Sequence, residues 1–332
     1  MCIKCYAAMA EKEDLKDFQY ESGQLGPWDV KLSVTHCGVC HSDVSFVDNH
    51  WGVSAYPLVP GHEIVGTVAE TGSLVTLLEE GQRVGVGGQA GACHQCQWCV
   101  SGDDQFCVNP NYTGLTSYGG FGDQIVVDSR FVHVIPESIS SEHAAPLLCA
   151  GITTFVALQK YAKLNSKVGI LGIGGLGHMA IQYASAMGCE VTALSSSADK
   201  EDEAKSLGAH SFININEAEQ LEEAAGSLDL IVSTVNVNLE WGAYLGMLKP
   251  KGVICVLGVP DSITIPGAPL IFGEKSVVGS LIGSRSHFKK MFEFSARHGI
   301  VPKTEALPMS KASEALDRVR NSRLGHRIVL FN

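Results

Sequence analysis

Apolar and polar positions fall into two textures along the chain. Over the first ~145 residues, short apolar runs (Asp29–Thr35, Ile64–Glu70, Arg83–Val86, Gln124–Val127) are separated by Gly, Pro and Asp turns, which predicts a β-rich region. The texture changes near Pro146. From Ser166 onward the pattern predicts strand Val168–Leu171, a helix from about Leu176 to Met187, strand Val191–Leu194 and a helix over Lys200–Leu207. Strand Leu228–Ser233, a helix around Leu239–Leu248 and strand Val253–Leu257 follow. Strands alternating with helices at this spacing are βαβ units, and they predict a parallel, doubly wound sheet. The tail adds a helix from about Phe288, another over Lys311–Asn321 and a last strand, Arg327–Phe331. Periodicity alone lets that tail close the βαβ sheet or return to the first region. The sequence has no internal repeat and no long linker.

Composition narrows the class. At 332 residues the chain is about twice the usual size of one domain, so two domains are expected. Hydrophobic residues at 45% and charged residues at 18% suit a globular protein that buries a sizeable core, and exclude a disordered one. No apolar run in the sequence pattern reaches the ~18 residues of a membrane span, and Met1–Lys12 lacks a signal-peptide core. A cytoplasmic enzyme with no membrane partner is the expectation. The net charge of −11 argues against coating nucleic acid. Eleven cysteines, an odd number without a secretory signal, point to thiolate metal ligands rather than a disulfide scaffold.

Gly172-Ile173-Gly174-Gly175-Leu176-Gly177 follows the apolar run Val168–Leu171 and opens a helix, the context that a G-x-G-x-x-G dinucleotide fingerprint requires. The first glycine permits the turn, the second lets backbone N–H groups approach a pyrophosphate, and the third packs helix on strand. An NAD site places Asp or Glu ~20 residues on, for the ribose 2′-hydroxyl. This chain has Ser195-Ser196-Ser197 and Lys200 there, which suits the 2′-phosphate of NADP(H). The alternative is that the serines form an N-cap and Lys200 is a solvated helix residue.

Two metal sites are legible. Cys93, Cys96, Cys99 and Cys107 lie within fifteen positions of a glycine-flanked loop and match a closed tetrahedral zinc site that holds the loop's fold. The second site is scattered. Cys40-His41-Ser42-Asp43 sits in a turn after a strand, Gly61-His62-Glu63 precedes another, and Cys149 lies in Leu147–Gly151. Singly, Cys149 reads equally well as a core cysteine and His62 as a satisfied turn histidine. Together they suggest two thiolates and an imidazole around Zn²⁺, with a fourth position open for substrate.

These motifs, in this order and spacing, resemble the zinc-dependent medium-chain alcohol dehydrogenases, and most closely their cinnamyl-alcohol-dehydrogenase-like, NADP-using branch. The resemblance covers essentially the whole chain. It implies a GroES-like catalytic domain from residues 1–149 and 286–332, with a Rossmann domain over 150–285. It implies that Cys40, His62 and Cys149 bind the catalytic zinc, that Glu63 can approach it, and that Cys37, a rival for Cys40, only packs. Asp43 would fix the imidazole of His62, Ser42 would pass the alcohol proton toward solvent, and His41 would meet the cofactor pyrophosphate. Thr153, Thr234, Gly258 and Ser280, Leu281 and Ile282 match cofactor-lining stretches. Trp51 and Tyr112 would line the substrate pocket by family position, though each is equally explicable as a core aromatic. Many relatives carry a His five residues after the first ligand, and this chain has Ser45 there. The proton exit would then end in water or at His50.

The implied reaction is reversible hydride transfer between NADPH and an aromatic or aliphatic aldehyde, in a homodimer with two Zn²⁺ per chain. The alternative within the fold is a polyol or other zinc-dependent medium-chain dehydrogenase using NAD; Cys149 speaks against it, because those enzymes often use a different third ligand. Zinc-free quinone reductases are disfavoured by the presence of both sites.

Overall fold

The structure is a computed structural model that describes residues 2–321 and 325–332. The chain divides into two compact units, Met1–Ile152 with Ile282–Asn332, and Thr153–Leu281.

In the first unit, strands run side by side in the order Thr304–Pro308, Arg327–Phe331, Asp29–Val39, Glu63–Thr71, Arg83–Val86 and Val132–Val134, and Gln124–Asp128 also pairs with Asp29–Val39. The tail strand therefore lies against Asp29–Val39, with Val329 opposite Gly38 and Leu330 opposite Cys37. On the other side Gly38 faces Glu63, and Cys37 faces Ile64. This register sets one glycine between the strand that carries Glu63 and the strand that begins at Arg327. The core beneath is built from Val30, Leu32, Ile64, Val84, Val86, Phe121, Ile125, Ile328 and Leu330, all at most 2% exposed. A hairpin of Cys2–Ala7 and Lys16–Glu21 has no counterpart in the sequence expectation. Its second strand is short and only partly buried, with Phe18 and Tyr20 on the face that packs against the core and Asp17, Gln19 and Glu21 on the other.

In the second unit all strand pairs are parallel, in the order Ser211–Asn214, Glu190–Ser195, Lys167–Leu171, Leu228–Ser233, Leu248–Val256 and Ser276–Gly279. Numbered along the chain this is 3-2-1-4-5-6, the doubly wound order whose ligand crevice lies at the carboxyl ends of the strands. The expected βαβ alternation is present. The two edge strands are additions, four residues each and only partly buried, too short and too polar to stand out by pattern.

Two expectations need correcting. The segment after Val39 is not a free turn: Cys40 is the N-cap of a helix over His41–Val47, closed by the Asp43 carboxylate accepting the Cys40 N–H at 2.9 Å. Helical structure also runs without a break over Ser141–Tyr161. At 21 residues and mean hydropathy 1.2 in its most apolar window, it is long and apolar enough to cross a membrane by length and composition, contrary to the sequence expectation. Two thirds of that window (67%) is buried within the protein, as in a core helix. Pro146, Gly151 and the β-branched Ile152–Thr154 hide this helix from propensity.

Candidate metal centres and nucleotide loop

The long helix has one irregular turn, and Cys149 is on it. Over Leu147–Gly151 the helix widens to a π-turn, with the Ile152 N–H bonded to the Leu147 carbonyl five residues back. Such turns redirect side chains and recur at functional sites. The Cys149 Sγ lies 3.9 Å from the Cys40 Sγ and 3.3 Å from the His62 Nε2. The donor atoms of Cys40, His62, Glu63 and Cys149 all fall within 4.8 Å of one another. Cys40, His62 and Glu63 are buried and Cys149 is half-buried.

Asp43 ties this cluster together. Its Oδ2 accepts the Cys40 N–H, while its Oδ1 accepts the Gly61 N–H at 2.9 Å and lies 2.8 Å from the His62 Nδ1. With Nδ1 directed at Asp43, the Nε2 of the ring faces the sulfurs. Burial works against a charged His62, but the Asp43 carboxylate overrides it and raises the imidazole well above its usual pKa. The two thiols act as a pair: the Cys149 thiol donates to Cys40, which with Arg327 and His62 holds Cys40 toward thiolate. Cys37 is absent from the cluster. Its side chain is fully buried in the core, where a Cβ on Gly61 would lie only 2.9 Å from its Sγ.

Arg327 is the participant that sequence reasoning missed. It is 5% exposed and pairs with the Glu63 Oε1. Glu63 Oε2 has no hydrogen-bond partner among the described residues. Burial pushes the Glu63 carboxyl up to about 7, against the pull of Arg327. Gly38 makes the pair possible, because a Cβ there would sit 1.9 Å from Glu63 Oε2. Two cysteine sulfurs, an imidazole nitrogen and a carboxylate oxygen without a hydrogen-bond partner among the described residues form a donor set that fits a zinc ion.

The second cluster is local. Cys93, Cys96, Cys99 and Cys107 also bring their sulfurs within 4.8 Å of one another, with Cys93–Cys99 at 4.0 Å and Cys96–Cys99 at 3.6 Å. Main-chain N–H groups point at the sulfurs: Cys93 N to the Cys107 Sγ at 3.3 Å, Cys96 N to the Cys93 Sγ at 3.4 Å, and Asn109 N to the Cys107 Sγ at 3.3 Å. N–H groups of Cys99 and Val108 draw the Cys96 thiol down to about 6. Four sulfurs with main-chain donors fit a closed zinc shell. Two contacts anchor the loop. The His94 Nε2 lies 3.0 Å from Asp128, and the buried Asp104 lies 3.2 Å from the Arg285 Nε.

In the second unit, Gly172 has φ +89°, and a Cβ on it would meet the Val235 Cγ1 at 2.6 Å. A Cβ on Gly177 would meet the Gly172 oxygen at 1.8 Å, whereas one on Gly174 would meet nothing within 4 Å. The first and third glycines are thus forced by packing, and the middle one faces open space, as a pyrophosphate site requires. Lys200 is seated on the loop, its Nζ 2.5 Å from the Ile173 carbonyl. Ser195 is buried with its Oγ accepting the Ser197 N–H, while Ser197 makes no side-chain cap bond and Ser196 is exposed. The N-cap reading of these serines therefore loses its bond.

Comparison with known proteins gives the family. The family model for the alcohol dehydrogenase GroES-like domain matches residues 26–137, and that for the zinc-binding dehydrogenases matches 175–297. The aldehyde reductase AdhA of Synechocystis is 41% identical over 330 residues, covering 99% of this chain and 98% of that protein. This chain belongs to the zinc-dependent medium-chain alcohol dehydrogenases. The NADP-dependent alcohol dehydrogenase C 1 of Mycolicibacterium smegmatis is 39% identical, covering 99% of this chain and 97% of its own. Among solved structures, a cinnamyl alcohol dehydrogenase from Sorghum bicolor superposes with a TM-score of 0.96 at 36% identity, over 100% of this chain and 98% of the other. The CAD from Helicobacter pylori, complexed with NADP(H), gives 0.91 at 31% identity, over 100% and 98%.

The remaining residues expected of this dehydrogenase fall into three groups. Around the assembled cluster, Phe46 meets the His62 ring edge-on at 6.0 Å and carries Trp51 on its own edge at 5.3 Å. Phe46 is a second residue that sequence reasoning missed, for a lone Phe on a short helix carries no motif. Trp51 is 42% exposed, so it is not a core aromatic. A Cβ on Gly88 would lie 3.8 Å from the His62 ring and 4.0 Å from Ile282, which brings Ile282 beside the cluster. His41 is exposed and Ser42 half-buried at the start of their helix. Farther out, Tyr112 is half-buried in a two-residue ladder with Gln89–Gly91, where burial, with Cys107, raises its phenol. His50 is exposed, 3.8 Å from Asp48, and Ser45 is buried. In the second unit Thr153 is buried, Ser280 is half-buried and bonded through its N–H to the Val256 carbonyl, and Leu281 is 46% exposed. A Cβ on Gly258 would collide with the Val235 oxygen at 1.9 Å, so this glycine is required by packing.

Proposed function

We propose that this protein is a zinc-dependent NADP(H) alcohol dehydrogenase that reduces aromatic and medium aliphatic aldehydes, reversibly: aldehyde + NADPH + H⁺ gives alcohol + NADP⁺. The observation that carries the reading is the convergence of Cys40, His62 and Cys149, with Asp43 fixing the imidazole. Cys40, His62 and Cys149 would hold one ion and the four-cysteine loop a second. When bound, zinc supplies a Lewis acid for the carbonyl oxygen and NADPH supplies the hydride. Asp43 keeps the His62 tautomer, and Ser42 relays the proton, inward for aldehyde reduction and outward for alcohol oxidation. Arg327 offsets part of the cost of a buried Glu63 charge beside two sulfurs.

The glycine turn would hold the pyrophosphate, with Ser196, Ser197 and Lys200 toward the 2′-phosphate; the absence of an acidic residue after Ser195 until Asp199 supports NADP(H) over NAD. Trp51 and Phe46 support a preference for aromatic substrates. We place the enzyme in the cytoplasm as a homodimer. The open edge strand Ser276–Gly279 and the exposed Ile271 and Phe272 (70% and 88%) support a paired state.

The test is a panel of benzaldehyde, cinnamaldehyde, butanal and a ketone, followed by loss of NADPH absorbance, with zinc measured on the same sample. Turnover of at least one aldehyde with about two zinc per chain is expected. No turnover with any aldehyde, or a single zinc, would overturn the assignment.

A further inference from the structure

The glycine turn has a keeper that its sequence motif does not include. Thr234 follows strand Leu228–Ser233, the neighbour of the strand that enters the turn. Its N–H donates to the Leu171 carbonyl at 2.9 Å. Its hydroxyl lies 3.0 Å from the same carbonyl and 3.1 Å from that of Gly172. One hydroxyl proton thus serves the last carbonyl of the strand and the first of the turn. Gly177 also approaches the Gly172 oxygen, so closely that its Cβ would lie 1.8 Å away, and that Cβ would be 3.4 Å from the Thr234 Oγ1. The Gly172 carbonyl is held by the Thr234 hydroxyl on a turn that packs closely against Gly177. Behind Thr234, the Val235 oxygen is backed by Gly258.

The grip has a chemical purpose. A glycine at φ +89° can rotate its peptide plane at little steric cost. Rotation would exchange an N–H for a C=O on the side that meets an anion, turning attraction into repulsion. We infer that Thr234 is a positioning residue, which sets the turn Gly172–Gly177 through its hydroxyl in the cofactor-free protein, rather than a residue that contacts the dinucleotide. This rests on the reading that the turn binds the pyrophosphate of NADP(H).

The test compares the zinc-loaded full-length protein with Thr234→Val and Thr234→Ser. Hydrogen exchange of the peptide covering residues 170–178 is measured without cofactor, and affinities are measured for NADPH and for adenosine 2′-monophosphate, which has no pyrophosphate. In Thr234→Val, faster exchange in the free protein and at least tenfold weaker NADPH binding are expected. Adenosine 2′-monophosphate should stay within twofold, and kcat at saturating NADPH within threefold. Thr234→Ser should match the wild type on every measure. Unchanged exchange in cofactor-free Thr234→Val overturns the inference, since a direct contact would act only when the cofactor is present. Equal losses in Thr234→Ser overturn it too, by assigning the effect to the methyl group. If the wild type binds no NADPH, the functional reading fails, while the exchange measurement still decides the role of Thr234.

Discussion

The two cysteine clusters surround their sulfurs in opposite ways. In the loop Cys93–Cys107 all donors come from fifteen consecutive positions, and the main chain turns its own N–H groups onto the sulfurs. In the assembled cluster the donors span Cys40 to Cys149, and side chains do the balancing: Asp43 toward His62, Arg327 toward Glu63. Main-chain donors cannot be rearranged without refolding the loop, so the first cluster suits a closed shell. Side-chain partners can shift by a rotamer, so the second can admit and release a ligand. The difference separates a folding element from a reacting one.

The largest test of that division exchanges one ligand from each cluster. Cys149→Ser should lower kcat/KM by about a thousandfold or more, roughly 4 kcal/mol, while Tm and NADPH affinity stay near wild type. Cys99→Ser should act mainly on folding, lowering Tm by about 10 °C or more, because a structural site contributes its binding energy to the folded state. Metal analysis should find about one zinc lost in each variant. Substantial activity in Cys149→Ser, or a Cys99→Ser protein that is inactive yet fully stable, would erase the distinction.

A smaller effect is expected from the orienting group. Asp43→Asn keeps the shape but turns a charged acceptor into a neutral amide, so the Nδ1 proton is held less firmly. Zinc affinity of the assembled cluster should fall about 10- to 100-fold, with the loop cluster untouched. Chelator titration with metal readout resolves the two sites. Equal weakening of both would mean that Asp43 acts through global stability.

How much of this was legible beforehand follows the same division. The loop cluster could be read from spacing alone, since its ligands are near neighbours. The parallel sheet was legible because its inner strands are continuous apolar runs, such as Val168–Leu171. The assembled cluster was not legible from periodicity. Its members sit at an N-cap, a strand entrance and a helix interior, so they were grouped by ligand chemistry beside a nucleotide loop, and the family resemblance supplied the choice of Cys40 over Cys37. Arg327 escaped because one arginine opening an apolar strand reads as a solvated end, and its burial depends on pairing across Gly38. Gly38 lay beyond the expected strand Asp29–Thr35 and carried no signal of its own, since the Glu63 carboxylate that fills its space comes from another strand. The helix over Ser141–Tyr161 escaped because Pro146 and Gly151 punctuate it, and that same irregularity is the π-turn that carries Cys149.

The finest contrast is between two imidazoles. His62 faces a carboxylate and is raised, whereas His133 stacks on Phe288 at 4.1 Å, beside the Arg285 that anchors the four-cysteine loop. Burial, aided by that guanidinium, pushes His133 down to about 3. The sign follows from which state takes the proton. Below pH ~6.5 an unfolded His133 is protonated and the folded one is not, so stability falls as pH drops from 6.5 toward 3 and is unaffected above that range. The full shift would cost about 2 kcal/mol at pH 5, and partial exposure of the ring reduces this to roughly 1 kcal/mol. His133→Phe keeps a ring against Phe288 and removes the titration. Its Tm should therefore change less than the wild type's between pH 7 and pH 5, by about 2–4 °C. Identical pH slopes in the two proteins would show that acid acts elsewhere, and that Arg285 serves the loop without imposing a proton cost on its neighbour.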